Sequence, residues 1–264
     1  MTSIGMLRNT FVMLDGIGPQ RERSLWTRGI ESWKEFLSEP KIPGISEERK
    51  SRMDCGLIQA NDRLQSHDSS YFAAQVPRKE MWRCLDDFRD SVAFLDIETT
   101  GISFRSPITV IGVFDGTRMH SLIRGQNLSR GNLEGILSGA SMIVTFNGSS
   151  FDIPMIEAQF PGVIPRIPHV DLKHSLKRLG LTGGLKRIER ELAIERDRRV
   201  EYMTGEDAVY LWRLWERHGK KNALDLLVEY NSEDSRNLKV LADHAYKNLR
   251  RRVFDSACQA RKIE

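Results

Sequence analysis

The sequence has no long apolar segment and no strong excess of charge of either sign. None of its hydrophobic stretches reaches the ~20 residues that a membrane-spanning helix needs, because charged residues interrupt each of them. We therefore expect no association with a membrane. The first stretch of the chain has only a broken apolar patch without a small-residue cleavage site, so no secretory signal is expected.

Cysteine is also scarce. The three cysteines, Cys55, Cys84 and Cys258, are odd in number, and no two of them form a C-x-x-C pair. This spacing argues against a disulfide framework and against a zinc site built from thiolates. A reducing, cytoplasmic location is the expectation.

The composition is typical of a globular protein. Of the 264 residues, 40 % are hydrophobic and 29 % are charged, and this length fits one large or two modest domains. The 40 basic residues exceed the 36 acidic ones only slightly, which gives a net charge of +4. Such a small sum does not identify a partner, because the placement of the charges decides what a surface attracts.

The first sixty residues favour a helical region with a repeated hairpin. A tight turn at 14–19 precedes one helix, and a similar turn follows 28 positions later at 42–46. The polar stretch 61–76 is interpreted as a linker. We predict four parts of the chain: a helical hairpin region over 1–60, a linker and helix over 61–90, a main domain over 91–254, and a tail over 255–264.

Alternating strands and helices follow from residue 92. We predict strands over 92–98, 108–114, 118–123 and 142–146, and helices over 132–137, 153–159, 185–192, 210–217, 223–231 and 235–251. The sequence Asp115-Gly116-Thr117 is a hairpin signal between the second and third strands. Antiparallel strands followed by a strand flanked by helices predict an α/β fold with a mixed sheet.

Two acidic residues end the first predicted strand. Asp96 and Glu98 are two positions apart, so both carboxylates point to the same face of the sheet. Neighbouring anions repel each other unless a cation joins them, and oxygen ligands of this kind suit Mg²⁺ or Mn²⁺. The alternative is a strand whose end simply reaches solvent.

Three further residues extend this pattern. Asp152 follows the fourth predicted strand after a run of small residues, and Tyr230 and Asp234 are four positions apart on one face of a late helix. Taken singly, Asp152 fits an N-terminal helix cap, and the later pair fits a solvated helix edge. We also interpret Asp171, two positions after His169, as the cap of the helix that follows it.

In combination, these residues resemble the DnaQ-like 3′→5′ exonuclease superfamily in its DEDDy form. Residues 94–101 resemble the first exonuclease motif, 145–154 the second, and 230–234 the third in its tyrosine version. The histidine version would need His where this chain has Glu229. The resemblance covers roughly residues 90–250 and implies an RNase H-like fold, with a mixed sheet flanked by helices.

Within that superfamily, the tract 205–212 and the start of the third motif are most similar to the RNase H-like exonucleases typified by YprB. The resemblance implies a two-metal mechanism with Mg²⁺ or Mn²⁺. Asp96 would bridge both ions, and Asp152 would support the second. Glu98 and Asp234 would complete the site of the attacking water. Tyr230 would orient that water, because a phenol with a pKa of about 10 is a poor base at neutral pH.

Glycines and cations mark candidate contacts to nucleic acid. The first turn resembles a helix-hairpin-helix motif, in which Gly16 and Gly18 would let backbone N–H groups approach a phosphate, while Arg21 and Arg23 add charge. The alternative is a small helical region that binds nothing. Other candidate contacts are Thr99, Asn147, Lys186 and Arg187, the last two within a basic run that also contains Arg190, Arg196, Arg198 and Arg199.

The function that this resemblance implies is metal-dependent 3′→5′ trimming of single-stranded DNA or of single-stranded DNA ends. An RNA exonuclease is the nearest alternative, since the hairpin favours DNA over RNA only modestly. A non-catalytic nucleic-acid-binding module is a second alternative. It is disfavoured because such a module has no need to keep clustered anions beside a polyanion. An endonuclease of the RNase H type is a third alternative.

Overall fold

The computed structural model describes residues 5–103 and 105–260, and the chain divides into two compact units. The first unit contains the residues up to Arg89, the short stretch Ile167–His169 and the chain from His244 onward. The second contains Asp90–Arg166 and Val170–Asp243. Within the described ranges, no helix is both long enough and apolar enough to cross a membrane.

The first unit is helical. Its helices are α1 (Pro19–Thr27), α2 (Trp33–Ser38), α3 (Glu47–Gln65) and α4 (Ser69–Gln75), with 3₁₀ turns at Met6–Asn9 and Arg78–Cys84. The polar stretch 61–76, predicted to be a linker, is mostly helical, because α3 continues to Gln65 and Asp68 caps α4 through the Tyr71 N–H. That prediction was wrong. Burial of Leu64 and Phe72 outweighs the polar composition there.

The two predicted turns have matching backbone geometry. Gly16 and Gly44 both adopt a positive φ, at 73° and 80°, which a glycine adopts without steric cost. In each turn the next residue, Ile17 or Ile45, donates its N–H to a carbonyl three positions earlier at 3.0 Å. The repeat of 28 residues in the sequence therefore corresponds to a repeated turn in the structure.

A buried ion network stabilises the first unit. Arg83 is 1 % exposed and donates to both carboxylate oxygens of Glu22, at 2.8 and 2.9 Å, and to Glu80 at 2.8 Å. Glu22 also accepts the backbone N–H groups of Phe11 and Val12. These bonds give each charged group of the network a partner of opposite charge, although one cation serves two carboxylates, and such partners are the condition under which ions are tolerated in a protein interior.

The second unit contains the predicted mixed sheet. Its strands are β1 (Val92–Thr99), β2 (Ile108–Phe114), β3 (Met119–Ile123), β4 (Met142–Thr145) and β5 (His169–Asp171), in the order β3-β2-β1-β4-β5. Strand β1 is antiparallel to β2 and parallel to β4, and β2 and β3 form the predicted hairpin. The mixed sheet flanked by helices confirms the expected fold class. Strand β5 was not predicted, because three residues are too short for a periodic signal.

Helices flank this sheet. They are α5 (Arg130–Leu137), α6 (Asp152–Gln159), α7 (Leu172–Lys177), α8 (Leu185–Glu191), α9 (Gly205–His218) and α10 (Lys221–Arg250). The residues of α10 from His244 onward, a π-helical turn at Arg251–Asp255 and α11 (Ser256–Ala260) belong to the first unit. The predicted break between 231 and 235 is absent, since α10 is one helix of 30 residues. Residues 256–260 of the predicted tail are helical, and the rest of that tail, 261–264, lies outside the described residues.

One glycine sets how closely α10 approaches the sheet. Gly112 on β2 is the register partner of Asp96 on β1. A Cβ at this position would collide with the side chains of Asn231 and Ser235 on α10, so only glycine fits beneath the helix. This close approach brings the middle of α10 over the end of β1 that carries the acidic residues.

We expect Arg83→Met to lower the free energy of unfolding by about 3–5 kcal/mol, because Glu22 and Glu80 would remain buried without their cation. The matched control is Arg52→Met, whose pair with Glu48 is well exposed and should change stability by less than about 0.5 kcal/mol. Urea denaturation followed by tryptophan fluorescence measures both variants. Equal decreases in the free energy of unfolding of the two variants would show that the buried network contributes no more to stability than an exposed ion pair.

Candidate metal centre

Three carboxylates from two elements meet at one point of the second unit. Asp96 and Glu98 project from the same face of β1, and Asp234 projects from α10. One oxygen from each of the three lies within 4.8 Å of the others. Glu98 is 8 % exposed and Asp234 is 5 % exposed, so this group is not the solvated strand end or helix edge of the alternative interpretations.

Asp152 lies beside this group but does not belong to the set of three. It is the first residue of α6, is buried, and accepts the backbone N–H of Ile97 on β1 at 3.2 Å. Its side chain does not cap α6, whose N-cap is Phe151. Burial raises the pKa of Asp152, and the charges of Asp171 and Asp234 raise it further.

The loop that leads to Asp152 is fixed by Asp171. The Asp171 carboxylate accepts the backbone N–H groups of Asn147 at 2.8 Å and Ser149 at 3.1 Å, and it also accepts the Ser149 hydroxyl. It caps α7 as well, through the N–H of Lys173, as the sequence predicts. These bonds hold Asn147 at a φ of 63°, a left-handed conformation that is uncommon outside glycine.

Asn231 holds the first acid of the cluster. Its side-chain amide donates to the Asp96 carboxylate at 2.9 Å and to the Asp96 backbone carbonyl at 3.2 Å. Asn231 is fully buried against Gly112. The carboxylate of Asp96 is therefore fixed from α10 as well as from its own strand.

A tyrosine and a lysine lie next to the carboxylates. Tyr230 is 4 % exposed and is one helical turn before Asp234 on α10. Lys186 on α8 places its ammonium against the Tyr230 hydroxyl and 4.0 Å from the centre of its ring. Burial raises the pKa of both Glu98 and Asp234, and the charge of the same ammonium opposes that rise.

An arginine contacts the third acid directly. Arg196, in the loop between α8 and α9, forms an ion pair with Asp234 through Nη2. Its guanidinium also donates to Glu189 from Nε at 2.6 Å and from Nη2 at 2.8 Å. Its side chain is only 4 % exposed. The sequence prediction of a surface cation at this position was therefore wrong.

Burial and mutual repulsion raise the pKa values of the acids. Desolvation raises the pKa of Asp96 and Glu98 well above the usual range, and the charge of Asp234 raises both further. Desolvation raises the pKa of Asp152 to about 7. It also raises the pKa of Asp234, although Arg196 and Lys186 oppose that shift. A divalent cation would reverse these shifts, because it favours the ionised form of each ligand.

The donor set fits a hard divalent cation. Its ligands are all carboxylate oxygens, without the sulfur or imidazole donors that favour zinc or copper, and Mg²⁺ and Mn²⁺ prefer oxygen. Glu98 and Asp234 are buried, Asp96 is partly buried, and the three carboxylates repel one another, a condition that a bound cation relieves. Asp96, Glu98 and Asp234 are thus the residues able to hold one such ion.

The predicted contacts to nucleic acid have different positions. The Thr99 hydroxyl donates to the Gly101 carbonyl at 2.6 Å, and the Asn147 side chain accepts from Lys173 at 3.0 Å. Arg187 lies on α8 and is exposed. Lys186 is not a surface cation, since it lies against Tyr230. In the first unit, Gly16, Gly18 and Arg21 are exposed, and Arg21 donates to the Gly16 carbonyl at 3.1 Å.

Three contacts of the site were not predicted from the sequence: that of Asn231 with Asp96, that of Glu189 with Asn237, and the ion pair of Arg196 with Asp234. Asn231 does carry a signal, because it occupies a buried position between Leu227 and Leu238 on the apolar stripe of α10. A polar residue on such a stripe needs a partner. Arg196 carries no such signal, because it stands in an irregular loop rich in arginine.

Comparison with known protein families gives a match over most of the second unit. A family model described as RNase H superfamily matches residues 93–246, which include all five predicted catalytic residues. No curated protein and no solved structure matches the chain.

We expect Mg²⁺ or Mn²⁺ to raise the melting temperature of the protein. At a concentration 100-fold above its dissociation constant, a bound ion adds about 2.7 kcal/mol of stability. Asp96→Asn should abolish this gain while leaving the metal-free protein at least as stable, since it removes one of the repelling charges. The control is Asp225→Asn, at an exposed position on the same helix as Asp234. A full metal-dependent rise in Asp96→Asn would contradict the assignment of the centre.

Proposed function

Since this chain belongs to the RNase H superfamily, we propose that it is a metal-dependent 3′→5′ exonuclease that releases nucleotides from single-stranded DNA or from single-stranded DNA ends. The family itself supports a nuclease-type function. The observation that carries the finer proposal is the buried grouping of Asp96, Glu98 and Asp234 with Tyr230 one turn away on the same helix as Asp234.

The acidic residues bind the ions that the reaction needs. Two ions of Mg²⁺ or Mn²⁺ would make water a better nucleophile and stabilise charge on the departing 3′ oxygen. In this proposal Asp96, Glu98 and Asp234 hold the first ion. Asp152, which accepts the N–H of Ile97 on β1, would help to hold the second ion.

Tyr230 acts as a hydrogen-bonding group in this proposal. Burial raises its pKa, and the charges of Asp234 and Glu98 raise it further, so the phenol stays protonated at neutral pH. A neutral phenol orients a water molecule but does not remove its proton. Lys186, in contact with the phenol oxygen, fixes the direction in which the Tyr230 hydroxyl points.

In this proposal the hairpin of the first unit binds the backbone of the DNA substrate. Gly18 is exposed and caps α1 without a side chain, and Pro19 has no N–H, so the backbone donors offered to a phosphate at this end would be those of Gln20 and Arg21. Arg21 and Arg23 lie near the start of α1, and both are exposed. Contacts of this kind are independent of base sequence, as trimming of any DNA end requires.

The decisive test uses single-stranded and double-stranded DNA and RNA, each labelled at the 5′ or the 3′ end, with Mg²⁺, Mn²⁺ or EDTA. A ladder of shortened 5′-labelled DNA that depends on metal is the expected result. Asp96→Ala and Asp234→Ala should lower the rate at least about 1,000-fold, because each removes a ligand of the proposed first ion. Asp225→Ala, on the exposed face of α10, should retain wild-type activity.

Other outcomes of this assay discriminate the alternatives. Trimming confined to RNA would identify an RNA exonuclease, and a single internal cut would identify an endonuclease. Binding without cleavage in every condition would identify a non-catalytic module. Wild-type rates in either folded alanine variant would contradict the proposed centre.

Charge reversal at the hairpin should weaken binding in a salt-dependent way. Arg21→Glu with Arg23→Glu should lower affinity for single-stranded DNA and reduce the slope of log affinity against log salt by about 1 for each phosphate that is no longer neutralised. Fluorescence anisotropy in EDTA measures binding without cleavage. Arg217→Glu, an exposed arginine near the end of α9, is the control. Identical slopes in all three proteins would remove the hairpin from the binding surface.

A further inference from the structure

Arg196 connects the candidate metal centre to a second buried acid. Its guanidinium lies between two carboxylates: Asp234 in the centre and Glu189 on α8. With Nε and Nη2 both bonded to Glu189, the planar group is held in one orientation. A side chain that is 4 % exposed has little access to a substrate strand.

Glu189, the second carboxylate that Arg196 contacts, is also held in place. Glu189 is 1 % exposed and accepts the side-chain amide of Asn237 at 3.1 Å. Asn237 is one turn beyond Asp234 on α10. The four side chains therefore close a ring from α10 to Arg196, on to Glu189 of α8, and back to α10.

This ring of side chains is not the most stable way to fill the space that it occupies. Nη1 of Arg196 is buried and has no hydrogen-bond partner among the residues that the structure describes. An unpaired buried donor destabilises the folded state, because it loses its hydrogen bonds to water without replacement. Apolar side chains of similar volume often replace a buried ion pair without loss of stability. A costly arrangement beside a cluster of metal-binding acids points to a role at that cluster.

The geometry of a carboxylate indicates the role. Asp234 has two oxygens, and a cation bonded to one of them restricts rotation of the whole group. We propose that Arg196 is a positioning residue that holds the Asp234 carboxylate facing Asp96 and Glu98, ready to bind metal, with Glu189 and Asn237 fixing the guanidinium. The inference rests on the metal centre of the proposed function.

A competing role for Arg196 has the opposite consequence. If the guanidinium merely replaces a metal ion as the counter-ion of Asp234, removing it would make divalent cations bind more tightly. If it positions Asp234, removing it weakens metal binding, and removal of such outer partners typically costs 10–100-fold in metal affinity or activity. The sign of the change separates the two roles.

The test measures Mn²⁺ affinity of the full chain by electron paramagnetic resonance. The main variant is Arg196→Met with Glu189→Gln, which removes both charges so that Glu189 is not left as a buried acid without its cation. Arg196→Lys is a conservative second variant, which keeps the charge but loses the planar fork. Arg199→Met is the control, since this exposed arginine of the same loop pairs with Glu229 outside the cluster.

We expect at least about a tenfold weaker affinity for Mn²⁺ in the double variant, an intermediate decrease in Arg196→Lys and no change in Arg199→Met. In nuclease assays, kcat should fall with little change in KM. Unchanged or tighter Mn²⁺ binding in a folded double variant, or in Arg196→Lys if the double variant does not fold, would overturn the inference. If the wild-type protein binds no Mn²⁺, both the centre and this inference fail. If it binds Mn²⁺ without nuclease activity, only the proposed reaction fails.

Discussion

The second unit is organised around repulsion between buried carboxylates. Asp96, Glu98 and Asp234 offer oxygens within 4.8 Å of one another, in surroundings that exclude much of the water that would screen them. No chain adopts such an arrangement unless the scaffold imposes it. The rigid placement comes from a central strand, a helix of 30 residues and the glycine at position 112 that lets the two approach.

Local cations make this arrangement tolerable. Lys186 and Arg196 reduce the charge near Asp234, and Lys186 does the same near Glu98. Because Arg196 also faces Glu189, its charge only partly offsets that of Asp234. When its carboxylates are ionised the centre is net negative, and that charge attracts a divalent ion. Helix α8 and the loop after it carry both cations, so this short segment tunes the electrostatics of residues far away in the sequence.

The parts of the site that sequence predicts are those set by local periodicity. The two-residue spacing of Asp96 and Glu98 defines one face of a strand before any tertiary structure is known. Their convergence with Asp234 is not local, and only the order of the motifs indicates it. The hydrophobic periodicity predicts two helices with a gap at 232–234, whereas the spacing of Tyr230 and Asp234 fits one helical face. In the structure α10 runs without a break through this stretch. Arg196 could not be predicted, because its burial depends on how an irregular loop folds against α10.

Two buried arginines of the chain show how structural and functional ions differ. In Arg83 all three guanidinium nitrogens are bonded, to Glu22, Glu80 and Thr10. In Arg196, at nearly the same exposure, Nη1 is without a hydrogen-bond partner among the described residues. A fully satisfied network needs no explanation beyond the fold. An incompletely satisfied one persists where the group serves something else, and Arg196 lies against a ligand of the candidate metal centre.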